Sequence, residues 1–98
     1  MSQIQIQQSK YEKYARALET TQFIQCKGIY GGGKFRCALG VIMSDLYGWK
    51  PEDTRPSDVF GKMSYDGIDS NKRYEIWSLN DFNGMTFQEI ADWLREQK

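Results

Sequence analysis

Three consecutive glycines, Gly31-Gly32-Gly33, lie inside the segment GIYGGGKF, Gly28 to Phe35. A helix does not run through such a stretch, since each glycine in a helix interior costs about 1 kcal/mol relative to alanine. The chain must turn here, and the helical patterns on either side belong to separate elements. With Lys34 the glycines also spell G-x-x-x-x-G-K, the start of a phosphate-binding P-loop. That loop needs Ser or Thr after the lysine to ligate magnesium, and Phe35 stands there. It also needs a buried strand before it and a helix after it, so that amides and helix dipole converge on the phosphates. QFIQCK is half-polar, and KFRC continues as an extended segment. A doubly wound nucleotide fold does not fit comfortably into 98 residues. The P-loop reading is rejected, and the glycines are read as a turn.

Phe23 to Cys37 then reads as a β-hairpin. A type I′ turn at Gly31-Gly32 would oppose Cys26 to Cys37, Lys27 to Arg36, Gly28 to Phe35 and Ile29 to Lys34. Alternation puts Cys26, Tyr30, Phe35 and Cys37 on the core face, and Lys27, Ile29, Lys34 and Arg36 on the other. Like charges directly opposed destabilise a ladder by up to about 1 kcal/mol. An anion bound at Lys27, Lys34 and Arg36 would relieve that repulsion; a solvated face is the alternative. A slip of one residue separates Lys27 from Arg36.

The flanking patterns are helical. Ser9-Lys10-Tyr11-Glu12 is a capping box, followed by Tyr11, Tyr14, Ala15 and Leu18 on one face and an i,i+4 pair of Glu12 with Arg16. In ALGVIMSDLYG, Leu39, Ile42, Met43 and Leu46 recur at helical spacing, with Gly48 as the C-terminal cap and Pro51 beyond it. Gly40 inside this helix is a mark of close packing. Thr86-Phe87-Gln88-Glu89 is a second capping box, with Phe87, Ile90, Ala91 and Leu94 as the buried stripe. Residues 50–72 are the least patterned, with Asp66-Gly67 as a turn signal and short strands expected at Lys62–Tyr65 and Arg73–Ser78.

These elements predict a single α+β domain over 1–98: helix, hairpin, helix, irregular strand-bearing segment, helix. Residues 1–8 are expected to form a flexible or edge-strand arm. The formal charge is zero, with 13 basic and 13 acidic residues, which argues against generic nucleic-acid or membrane adhesion. No apolar run approaches the roughly 20 residues of a membrane span, and MSQIQIQQSK has no signal-peptide core, so the expected location is cytoplasmic. Residues 22–50 carry a net +3 and residues 51–70 a net −3, which fits internal pairing or dipolar self-association into a homo-oligomer.

Candidate chemistry is sparse. The chain has no histidine, the commonest general base and metal ligand. Cys26 and Cys37 are two thiols without further ligands for a metal, and are expected to stay reduced. LNDFNGMTFQE fails as a calcium loop, since Leu79 and Ile90 would occupy ligating positions. Neither a cofactor nor a metal is expected, nor is catalysis. Tyr30 beside the cations, and Trp49 and Trp77 at element ends, are the rings placed to stack on a base or a partner surface; partial burial under loops is the alternative for the two tryptophans.

GKFRCALGVIMSDLYG and LNDFNGMTFQEIADWL resemble a family of short bacteriophage and prophage proteins. These carry a K-F-C-C-L-G-V-L-C-D-L-like run and end in L-N-D-x-x-G-x-S-F-x-E-I-A-D-W-I. The chain departs from that pattern at Arg36 and Ala38, so no paired-cysteine role carries over. The resemblance implies a phage accessory protein acting in the host cytoplasm, without implying a mechanism. In that setting the expected function is non-catalytic binding of a small anionic ligand, as a sponge for a nucleotide immune signal such as a cyclic nucleotide or an ADP-ribose derivative. Lys27, Lys34, Arg36, Tyr30 and Trp77 are its expected ligand-binding residues. The alternatives are a module that binds and inhibits a host protein, and a small nucleotide-processing enzyme.

Overall fold

Tyr14, Ala15 and Leu18 of helix α1, Glu12–Thr20, are buried together with Tyr11, the residue that precedes it, as their spacing predicts. This is seen in a computed structural model that describes residues 10–97. The arm expected over residues 1–8 lies outside the described residues. The capping box expected at Ser9–Glu12 is not the start of α1: Tyr11 is its N-cap, without a side-chain capping bond, and Glu12 is the first helical residue instead of the third. The remaining elements are β1 (Ile24–Gln25), β2 (Gly31–Gly32), β3 (Phe35–Arg36), α2 (Ala38–Tyr47), α3 (Ser57–Tyr65), α4 (Ser70–Asp81) and α5 (Phe87–Glu96). The domain is α+β, with the helices dominating and a small sheet at one side.

Helix α2 is the centre of the core. Ala38, Leu39, Gly40, Val41, Ile42 and Met43 are all buried, with α1 on one side and α4 on the other. It ends as expected at Gly48, whose φ of 72° is left-handed. Leu46, expected in the stripe, is instead 38% exposed. Helix α5 begins with the predicted capping box, Thr86 accepting from the Glu89 amide while the Glu89 carboxylate accepts from Thr86 N–H. Its Ile90, Ala91 and Leu94 are fully buried against α1.

The two strands expected after residue 50 are helices. Lys62–Tyr65 is the end of α3, which buries Val59 and Met63. Pro56 presets the helical φ at its start, and the Asp58 carboxylate accepts from Arg55 N–H. Arg73–Ser78 lies within α4, and the polar DSNKR is its cap and first turn: Asp69 Oδ1 accepts from Lys72 N–H at 2.9 Å. Asp66-Gly67 is the expected turn between the two helices, with Gly67 at φ 100°.

The hairpin also differs from expectation. β3 is the middle strand, antiparallel to β2 and parallel to β1. Gly31 opposes Arg36 and Gly32 opposes Phe35, so Gly33-Lys34 forms the turn instead of Gly31-Gly32. Lys27 therefore does not oppose Arg36. The faces of β3 are exchanged too: Arg36 is 5% exposed and Phe35 is 42% exposed.

Candidate functional site

The exchange of Phe35 for Arg36 has a local cause. The Arg36 guanidinium lies 4.1 Å from the centre of the Phe23 ring and 5.6 Å from that of Trp49. Its Nε donates to Ser44 Oγ at 2.8 Å, and its Nη1 donates to the carbonyls of Gly33 and Phe35. Among the described residues no carboxylate pairs with it. Neutral acceptors and ring faces make this buried position tolerable for a cation. Two glycines open the space. A Cβ on Gly31 would overlap the Arg36 stem, and one on Gly40 would overlap the Tyr30 carbonyl oxygen. Gly31 thus serves close packing, as does Gly40.

The loop leading to Tyr30 is held by a clasp at the end of α4. Asn80 is fully buried, and both ends of its amide are used. Its Oδ1 accepts from Gln25 Nε2 and from Ala38 N–H, while its Nδ2 donates to the Cys26 carbonyl and to Asp81 Oδ1. Asp81 Oδ2 accepts from Gly28 N–H at 2.8 Å. Cys37 N–H donates to the Tyr30 carbonyl. The Cys37 sulfur caps α2 by accepting from Gly40 N–H, and burial pushes its thiol up to about 11. Burial also raises the Cys26 thiol, so neither is a thiolate nucleophile at neutral pH.

The expected site residues separate into different places. Lys34 lines a groove with Phe23, Thr20 and Asp45. Arg36 borders another with Trp49 and Ser44. Lys27 is exposed, beside the Gly84 turn. Tyr30 and Trp77, however, line one cleft of about 300 Å³, together with Leu39, Phe60, Ser70, Arg73 and Tyr74. Among the described residues no carboxylate or thiol lines it. The Tyr30 ring meets Phe60 edge-on at 6.2 Å and Trp49 edge-on at 6.3 Å. Trp77 meets Tyr74 at 5.7 Å and Phe82 edge-on at 4.9 Å.

Arg73 is the cation of this cleft, and the sequence reading passed over it. Its guanidinium stacks 4.4 Å from the centre of Phe60. Nη1 donates to Ser64 Oγ at 2.8 Å and the Ile68 carbonyl at 2.9 Å, with a longer contact to the Phe60 carbonyl at 3.3 Å. Those acceptors exhaust the two hydrogens of Nη1. Among the described residues Nε and Nη2 have no acceptor, and no carboxylate forms an ion pair with Arg73. The signal was present in the sequence: Ser70, Arg73, Tyr74 and Trp77 fall at i, i+3, i+4, i+7, one face of a helix. Reading Arg73–Ser78 as a strand concealed it.

No protein-family model, curated protein or solved structure matches the chain.

Proposed function

We propose that this chain is a non-catalytic binding module that holds a small anionic ligand in the cleft between Tyr30 and Trp77. The observation that carries the reading is the pairing, in one cleft, of aromatic walls with a guanidinium whose Nε and Nη2 lack acceptors. Concave sites with mostly apolar walls and a few convergent polar groups are where small ligands bind. The lining supplies no acid–base pair and no activated nucleophile, which favours holding a ligand over transforming it. In the phage setting implied by the resemblance, the ligand is a nucleotide signal of the host, and binding sequesters it. The expected cation set is revised: Arg73 replaces Lys27, Lys34 and Arg36 as the anion's partner.

A protein partner is the second reading. It is favoured by Tyr74 and Phe82, which flank Trp77 and are 63% and 71% exposed. Large aromatic rings at a surface are typical anchors of protein interfaces. One experiment separates the readings. The protein is incubated with adenosine 5′-monophosphate, cyclic dinucleotides and ADP-ribose derivatives, repurified, denatured, and the released material chromatographed. Intact ligand released on denaturation supports sequestration, and altered ligand supports catalysis. Absence of retained ligand transfers support to a protein partner.

A further inference from the structure

Resting on the cleft reading, we infer that each chain takes one aromatic ring bearing one oxyanion, a ligand of about mononucleotide size, and that a dinucleotide gains nothing there. Three observations lead to this. First, Arg73 is the single cation lining the cleft among the described residues, so one charged group is accommodated. With Nη1 engaged by Ser64 and Ile68, the edge left is the Nε–Nη2 fork, whose two parallel N–H groups match the two oxygens of a phosphate or carboxylate.

Second, the rings differ in what they can offer. One face of Phe60 is covered by the Arg73 guanidinium, and Tyr30 is locked edge-on between Phe60 and Trp49. Tyr74 is 63% exposed and Trp77 is half-buried, so a ligand ring stacks on α4. Trp77 follows Arg73 by four residues, which places their Cβ atoms about 5–6 Å apart on a helix. The ring and its anion are therefore separated by a short linkage, as a base is from its 5′-phosphate. Third, a volume of about 300 Å³ is at the lower end of the range for ligand sites. Adding a second base and a second phosphate would leave both in water.

The same chemistry is presented by a nucleotide phosphate and by an aromatic carboxylate, and calorimetric titration distinguishes them. The probes are adenosine 5′-monophosphate, adenosine, inorganic phosphate, indole-3-acetate and a cyclic dinucleotide. The expected result is one-to-one binding of the monophosphate or of indole-3-acetate, with whichever binds identifying the source. Adenosine and phosphate alone should each bind at least about tenfold more weakly than the monophosphate if it is the nucleotide that binds. Arg73→Lys keeps the charge and removes the fork, and should weaken binding about tenfold; Tyr74→Ala, at an exposed position, tests the ring contact without threatening the fold. Lys34→Gln should leave affinity unchanged. Binding undiminished in both Arg73→Lys and Tyr74→Ala would overturn the inference, as would no binding of either ring-bearing anion. A dinucleotide bound more than tenfold tighter than the monophosphate would overturn it while leaving an anion-binding cleft intact. Failure of every probe would remove both.

Discussion

Asn80 and Arg73 lie on the same helix, and their polar groups are treated in opposite ways. Asn80 is buried with each of its amide valences satisfied, joining α4 to β1, the Cys26 carbonyl and the start of α2. Arg73 spends one nitrogen on the end of α3 and the turn to α4, and its other two have no acceptor among the described residues, beside exposed rings. A satisfied buried network specifies a frame. Donors left open to solvent at the edge of a cleft are ones a ligand could engage. Asn80 thus belongs to the part of the molecule that holds its shape, and Arg73 to the cleft proposed to bind a ligand.

The largest effect is expected at the clasp. Asn80→Ala strands the Ala38 N–H and the Cys26 carbonyl in the interior, and should cost about 2–4 kcal/mol of stability by denaturant unfolding. If Asn80→Ala were no more costly than Arg73→Lys, the division between frame and cleft would fail. Gly40→Ala comes next. Alanine gains helix propensity but forces the Tyr30 backbone away, for a net loss of about 1–2 kcal/mol. The change also shifts the Tyr30 wall of the cleft, so affinity should fall along with stability.

Arg36→Gln is informative through its sign. An exposed cation opposed to Lys27 would make the substitution stabilising by a few tenths of a kcal/mol. The buried guanidinium between Phe23 and Trp49 makes it destabilising by about 1–2 kcal/mol, measured as a lower melting temperature. An increase in melting temperature would overturn the observed register.

Acid should loosen the α1–α5 pair before it affects the cleft. Hydrogen bonds from Arg95 hold the Glu19 carboxyl down at about 2, and they lower Glu12 as well. Both folded-state values lie below the ordinary 4.5, so their stabilisation is present above pH 4.5 and is lost as pH falls toward about 2. Melting temperature should decline over that window, and Arg95→Met should flatten the decline. The smallest effect is expected at Tyr74. Its replacement by alanine should change stability by no more than about 0.5 kcal/mol, because the ring is mostly in water.

Elements with strong local signals were legible in the sequence. The Thr86 capping box, the Gly48 cap and the buried faces of α1 and α5 follow from patterns three and four residues apart. The hairpin was not legible, because its register depends on where the Arg36 side chain finds room. That room is made by Gly31, and by Gly40 on a different element. Helices α3 and α4 were missed for another reason. The buried side of α4 is carried by Ile76 with the polar Asn80, so its apolar periodicity is weak. Of the expected site residues, Tyr30 and Trp77 line one cleft. The cations expected with them lie elsewhere, since the opposition of Lys27 to Arg36 required a turn two residues earlier than the one formed.

The pairing of α1 with α5 also bears on how the chain is made. Arg95 bridges both Glu12 and Glu19, and it is 83 positions from the former. Most of the chain must be synthesised before this contact can close, and loop-closure entropy delays it further. Until α5 is made, α1 lacks the helix it packs against most extensively and has α2 as its main remaining neighbour. A nascent chain stopped before Phe87 therefore presents a sticky amphipathic helix, of the kind that chaperones bind and proteases cut.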